Sequence, residues 1–108
     1  MKTFNKLVRD KIPQKIENNG ECCEIETLSD ERFLEELNKK LQEEVKEYLE
    51  SGEVEELADI AEVLRGILLA KKVDLKEFEN LRQAKAEKRG GFEKKIFLKS
   101  TFTNEEKN

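Results

Sequence analysis

Two stretches of helical periodicity dominate the chain. In each stretch apolar side chains recur every three or four residues, which predicts an amphipathic helix with one apolar face. The first set is Leu34, Leu37, Leu41, Val45 and Tyr48, and the second is Leu57, Ile60, Leu64, Ile67 and Leu68. Gly52 lies between the two sets and is a helix stop. Helices joined by so short a connection usually lie antiparallel, so the sequence predicts a helical hairpin.

The ends of these two helices have local signals. Ser29 or Asp30 is suited to cap the first helix, which we expect to run to about Glu50. The second helix is expected from about Glu53 to Lys72. Together these bounds leave a connection of only a few residues.

Weaker patterns flank the hairpin. Pro13 fits the first turn of a short helix that ends near Gly20. A further helix is expected after Asp74, with Leu75, Phe78 and Leu81 on its inward face and a stop at the Gly90–Gly91 pair. The runs CCEIETLS (22–29) and KKIFLKS (94–100) have partial alternation. They suit a small two-stranded β ribbon, with helix or extended coil as alternatives.

These elements together predict an all-α fold: an antiparallel helical hairpin or bundle of about four helices. At 108 residues the chain is the size of one domain, which we place at residues 1–99, with a flexible polar tail over 100–108. A small hairpin with two apolar sides gains stability by association, so an oligomer is expected.

Charge and composition narrow the function. Charged residues make up 43% of the chain, and the net charge of −4 disfavours a general nucleic-acid binder, which normally presents a basic face. No apolar run has the roughly 20 residues needed to span a bilayer, and the N-terminus lacks a signal-peptide apolar block. We therefore expect a cytoplasmic protein.

Cysteine and histidine usage limits the available chemistry. Cys22 and Cys23 are adjacent and have no other sulfur partner, so reduced structural cysteines are expected. The chain has no histidine. Acid–base chemistry would therefore depend on carboxylates, lysine or metal-bound water.

Acidic residues gather on both helices of the hairpin. Glu43, Glu44 and Glu47 come from the first helix, and Glu56 and Asp59 come from the second. At about 100° per residue, Glu44 borders the apolar stripe, whereas Glu56 projects inside the stripe of its own helix. An acid on an apolar face is unusual, because carboxylates are rarely buried without a partner.

Coulomb's law limits what such a cluster can do. Two carboxylates about 5 Å apart repel by roughly 3 kcal/mol at an effective dielectric constant near 20. The acids must spread into solvent, take up protons, pair with lysine or arginine, or bind a cation. Oxygen ligands in this number suit Mg²⁺ or Mn²⁺. A solvated helix face in a chain rich in glutamate is the alternative.

Two pairs of basic residues each suit two alternative roles. Lys6 and Arg9 lie just before the first helix, where they are either surface charges or phosphate ligands. Lys88 and Arg89 lie at the end of the fourth helix. There they either interact with the helix dipole or form a cationic arm over a phosphate chain.

Three stretches carry a resemblance to a known family. They are KLVRDKIP (6–13), EEVKE (43–47) followed by EELAD (55–59), and KRGGF (88–92). In these stretches the chain resembles the MazG-like branch of the all-α nucleotide pyrophosphohydrolase superfamily. It looks most like the small proteins described as phosphoribosyl-ATP pyrophosphohydrolase-like.

The resemblance implies a site and a reaction. The family pattern of EExxE on one helix and ExxD on the next implies that Mg²⁺ is held by Glu43, Glu44, Glu47, Glu56 and Asp59. Phosphate binding would fall to Lys6, Arg9, Lys88 and Arg89. The implied reaction is hydrolysis between the α and β phosphates of a nucleoside triphosphate, with Glu44 or Glu47 orienting the attacking water. The implied assembly is a homodimer or homotetramer.

Two other functions remain open from the sequence. One is a non-catalytic helical oligomerisation or nucleotide-binding module that retains the acidic metal site. The other is the same hydrolytic chemistry on phosphoribosyl-ATP. Binding without turnover would favour the module, and a nucleotide panel would separate the substrates.

Overall fold

The computed structural model describes residues 1–107, and in that range the regular structure is entirely helical. The helices are α1 (Ile12–Asn18), α2 (Asp30–Ser51), α3 (Val54–Ala70), α4 (Leu75–Arg89) and the single turn α5 (Asn104–Lys107). The all-α prediction is confirmed. The bounds of α2 and α3 agree with the periodicity to within about two residues, the uncertainty usual for helix ends.

Local sequence signals set both ends of α2. The Ser29 hydroxyl accepts a hydrogen bond from the backbone N–H of Arg32 at 3.3 Å, which is the expected N-cap contact. At the other end Gly52 has φ 70°, a left-handed conformation that glycine adopts without steric cost. Its N–H donates to the Tyr48 carbonyl at 2.7 Å, which closes the last turn.

Helices α2 and α3 pack against each other as the predicted antiparallel hairpin. Leu37 lies against Gly66, and Glu44 lies close to Asp59. The two contacts are seven residues apart on each helix and follow in opposite order along α2 and α3, as an antiparallel register requires. A Cβ atom on Gly66 would lie 2.9 Å from Leu37 Cδ2. Glycine at this position therefore lets the Leu37 side chain pack directly on the α3 backbone, despite a helix-propensity cost of about 1 kcal/mol relative to alanine.

The hairpin core is thin. Within the described part of the chain, the buried hydrophobic side chains are Leu37 and Val63, and the buried charged side chain is Glu44. Other members of the predicted apolar stripes, such as Leu57 and Leu64, remain exposed. Sequence periodicity placed Glu44 only at the border of its stripe, yet it is more deeply buried than its stripe neighbour Val45.

Residues before α2 are mostly irregular. Pro13 lies in the first turn of α1, as predicted. The segment 22–29 has no strand, and neither does 94–100, so the β ribbon is not formed among residues 1–107. A lone two-stranded ribbon is marginally stable, and partial alternation does not compensate for that. Cys22 and Cys23 are both free thiols in the structure.

The chain divides into two compact units, Met1–Leu75 and Lys76–Asn108. The first contains α1 and the hairpin, and the second contains most of α4 and α5. The prediction of one domain over residues 1–99 stays a prediction. So does the flexibility of the tail 100–108, which includes the α5 turn and whose last residue lies outside the described range.

Helix α4 differs from the sequence expectation in its burial. Leu75, Phe78 and Leu81 were predicted to form an inward face, but all three are exposed. The helix has no buried residue along its length. Its apolar positions are too widely interrupted by charged residues to form a continuous stripe.

Among residues 1–107, no helix combines the length and the apolar character that crossing a bilayer requires.

Candidate metal centre

Three carboxylates from the two hairpin helices converge. One oxygen each from Glu44, Glu56 and Asp59 lies within 4.8 Å of the other two. Glu56 and Asp59 are three residues apart on α3, which places them on one face of that helix. Glu44 approaches from α2 because the antiparallel register brings it opposite Asp59. The convergence predicted from the sequence is therefore present for these three residues.

Glu44 is the most unusual member of this cluster. Glu44 is only 8% exposed, and its Oε2 atom is buried and accepts no hydrogen bond from the described residues. Its other oxygen, Oε1, lies 3.8 Å from the Lys40 ammonium. A buried carboxylate oxygen without a partner is costly, since desolvation of the charge is not compensated. This atom therefore needs either a proton or a cation.

Electrostatics agree with that requirement. Burial raises the pKa of Glu44, and the neighbouring Glu47 and Asp59 raise it further, while Lys40 opposes them. The pKa of Glu56 is also raised, first by desolvation and then by repulsion from Glu47 and Asp59. Both shifts have the direction expected where carboxylates crowd together without enough positive charge.

Glu47 and Glu43 occupy different positions around this cluster. Glu47 is exposed and lines the same cavity as Glu44 and Asp59. Glu43 lies outside the three-carboxylate group and forms an ion pair with Lys6 at 3.7 Å. Of the five acids predicted as ligands, three lie together: Glu44, Glu56 and Asp59. Glu47 lies beside them, and Glu43 contacts Lys6 of the N-terminal segment instead.

Basic residues from the N-terminal segment complete the cavity. The Arg9 guanidinium donates a hydrogen bond to Asp59 Oδ1 at 2.7 Å. The cavity has a volume of about 290 Å³ and combines acidic, basic and apolar walls. Its lining residues are Lys6, Val8, Arg9, Ile12, Lys40, Glu44, Glu47 and Asp59. Two of the four predicted phosphate ligands therefore face the acidic cluster.

The other two predicted phosphate ligands belong to the second unit. Lys88 and Arg89 are exposed in the last turn of α4, and their phosphate-binding role stays a prediction. Sequence reasoning missed Lys40, which lies beside Glu44 in the cavity wall. Its spacing of four residues before Glu44 was the available signal, because such pairs meet on one helix face.

The donor set fits a hard divalent cation. Carboxylate oxygens from Glu44, Glu56 and Asp59 are ligands of the type that Mg²⁺ and Mn²⁺ prefer. Glu44 brings a buried carboxylate to this set, and its Oε2 atom has no hydrogen-bond partner among the described residues. Glu47 adds an exposed carboxylate within the same cavity, where solvent reaches it.

Comparisons with protein-family models, with curated proteins and with solved structures find no match to this chain.

Proposed function

We propose that this protein is a Mg²⁺-dependent nucleotide pyrophosphohydrolase that cleaves between the α and β phosphates of a nucleoside triphosphate. The observation that carries the proposal is the convergence of three carboxylates, one of which, Glu44, is buried and has an unpartnered Oε2 atom. This arrangement favours cation binding, and the adjacent arginine and lysine favour an anionic substrate. The resemblance in the acidic and KLVRDKIP segments supports the reaction type.

The residues have separate roles in this proposal. Glu44, Glu56 and Asp59 would hold the ion, and the ion would supply positive charge that neutralises the phosphates. Glu47 orients the attacking water and accepts its proton, since it is an exposed carboxylate on the cavity wall. Arg9 binds phosphate oxygens through its planar guanidinium.

Cavity size indicates how a nucleotide would be accommodated. The acidic cavity of about 290 Å³ lies just below the range of about 300–1,000 Å³ that is usual for small-molecule sites. An adjoining groove of about 540 Å³ shares Arg9 and Asp59 with it and has apolar walls that include Phe33 and Leu69. We assign the phosphate chain to the acidic cavity and the nucleoside to the groove.

Association of two or more copies completes the proposal. Helix α3 has an exposed apolar stripe at Val54, Leu57, Ala61 and Leu64, where the three large side chains are 76%, 43% and 41% exposed. Its spacing of three and four residues is that of a helix–helix contact face. A second copy of the hairpin offers a matching stripe, so we propose a homodimer or homotetramer.

The test is a pyrophosphate-release assay with Mg²⁺ over a panel of nucleoside triphosphates and phosphoribosyl-ATP. We expect release from the wild-type protein, loss of release in EDTA, and a decrease of about 100-fold or more in Glu47→Gln, the usual contribution of a general base. Glu50→Gln is the matched control, because Glu50 is exposed on the same helix and lines neither cavity.

Two outcomes would contradict the proposal. Full activity in Glu47→Gln would reject the role of that carboxylate. Absence of release from every nucleotide would reject the reaction, and nucleotide binding without turnover would favour the non-catalytic module instead. Circular dichroism of each variant separates loss of chemistry from loss of fold.

A further inference from the structure

The N-terminal segment places two cations against acidic residues of the hairpin. Residues 1–11 have no helix or strand, and they bring two basic side chains to the hairpin. Arg9 bonds to Asp59 at 2.7 Å, and Lys6 pairs with Glu43 at 3.7 Å. The two pairs differ in one respect: Asp59 belongs to the three-carboxylate group, whereas Glu43 does not.

The Arg9 contact competes with a metal ion. A guanidinium N–H occupies a lone-pair direction of Asp59 Oδ1, and its charge repels any divalent ion placed among the same carboxylates. The pair is also easily exchanged, because the two side chains are 54% and 42% exposed and exposed ion pairs contribute little stability. Arg9 can therefore leave Asp59 without unfolding the hairpin.

Arg9 has a second potential partner in the same cavity. It lines the space in front of Glu44, Glu47 and Asp59, where the phosphates would lie. A guanidinium binds phosphate at least as well as carboxylate, often through two parallel hydrogen bonds. A bound phosphate chain would accept the bonds that Asp59 loses, and Asp59 would then be free for the cation.

We propose that Arg9 is an internal counter-ion that transfers from Asp59 to the substrate phosphates and so couples cation binding to phosphate binding. This inference rests on the proposed function and adds regulation of the same site. A cation alone competes with Arg9 for Asp59, so it binds more weakly than it would without that contact. With phosphate present the displacement is favourable, and by reciprocity each ligand strengthens the other.

The experiment measures Mn²⁺ affinity by titration calorimetry for the wild-type protein, Arg9→Gln and Lys6→Gln. We expect Arg9→Gln to bind Mn²⁺ alone about two- to fivefold more tightly, the range given by the loss of an exposed ion pair. In saturating Mn²⁺, the same variant should bind α,β-methylene-ATP, in which the scissile oxygen is replaced, about tenfold more weakly. Lys6→Gln removes the same charge from the same segment, and it should tighten Mn²⁺ binding less than Arg9→Gln does.

The outcomes separate the inference from the function on which it rests. If the wild-type protein binds Mn²⁺ and Arg9→Gln binds it no more tightly, the proposed exchange is wrong, whereas the proposed metal site is still supported. Equal tightening in Arg9→Gln and Lys6→Gln would also overturn it, since general electrostatics would then account for the effect. If neither the wild-type protein nor Arg9→Gln binds Mn²⁺, both the exchange and the proposed metal site are rejected.

Discussion

Replacing Glu44 by glutamine should stabilise the metal-free protein, although the residue is buried. The substitution keeps the shape of the side chain and removes its charge from a group in which an Asp59 oxygen lies within 4.8 Å. Two unit charges at that distance repel by about 3.5 kcal/mol at an effective dielectric constant of 20 and by about 0.9 kcal/mol in bulk water. The loss of the Lys40 contact at 3.8 Å offsets part of the gain.

We therefore expect the free energy of unfolding of Glu44→Gln to exceed that of the wild-type protein by about 1 kcal/mol at pH 8 in EDTA. This value is near the lower of the two Coulomb energies because the cluster is partly solvated. Urea unfolding followed by circular dichroism measures the difference. Glu43→Gln is the matched control, because Glu43 is adjacent on α2 but lies outside the three-carboxylate group. The control should change stability by less than about 0.5 kcal/mol.

The pH dependence gives this prediction a second test. Because burial and neighbouring acids raise the pKa of Glu44 above its ordinary value of 4.5, the folded protein binds this proton more tightly than the unfolded chain does. The wild-type protein thus recovers stability as the pH falls through the raised pKa towards 4.5. Glu44→Gln has no such proton, so its advantage should be largest at pH 8 and shrink as the pH falls.

Magnesium should reverse the order of stability. A ligand that binds only the folded state stabilises it by an amount that grows with concentration over Kd, and Glu44→Gln lacks one of the proposed ligands. A Glu44→Gln variant that is less stable than the wild-type protein at pH 8 in EDTA would show that the Glu44 charge is not destabilising. An advantage that does not change with pH would show the same.

Two further predictions concern association and the start of α2. Leu64→Glu places a charge in the exposed apolar stripe of α3 and should weaken association through it. Sedimentation equilibrium should therefore show a smaller assembly than the wild-type protein forms. An unchanged mass would exclude this face as the interface. Ser29→Ala removes the side-chain acceptor of the Arg32 N–H and should lower the free energy of unfolding in urea by about 1 kcal/mol. The control Ser100→Ala lies in a non-helical segment and should lower it little. Equal effects would show that the cap does not stabilise α2.

The hairpin was predictable because its signals are local. A serine cap, a glycine stop and apolar residues at helical spacing set the bounds of α2 and α3 to within about two residues. The convergence of Glu44, Glu56 and Asp59 followed from the same periodicity and the short connection. Neither inference needed a contact between distant parts of the chain other than the hairpin itself.

The remaining features depend on tertiary packing, which helical angles do not encode. Periodicity gives the direction of Glu44 but not how closely α3 approaches it, and that approach is set by contacts such as Leu37 against Gly66. The Arg9–Asp59 bond joins residues 50 positions apart and has no sequence pattern. The ribbon and the inward face of α4 rested on local patterns alone: residues 22–29 and 94–100 have no strand, and Leu75, Phe78 and Leu81 are exposed.

The proposed metal centre is tested most directly by a crystal structure of the protein soaked with Mn²⁺, with anomalous diffraction used to locate the ion. If these carboxylates form the metal centre, we expect an anomalous peak within direct coordination distance of oxygens of Glu44, Glu56 and Asp59. A crystal in which Mn²⁺ binds elsewhere, or in which these three carboxylates point to separate surfaces, would contradict it.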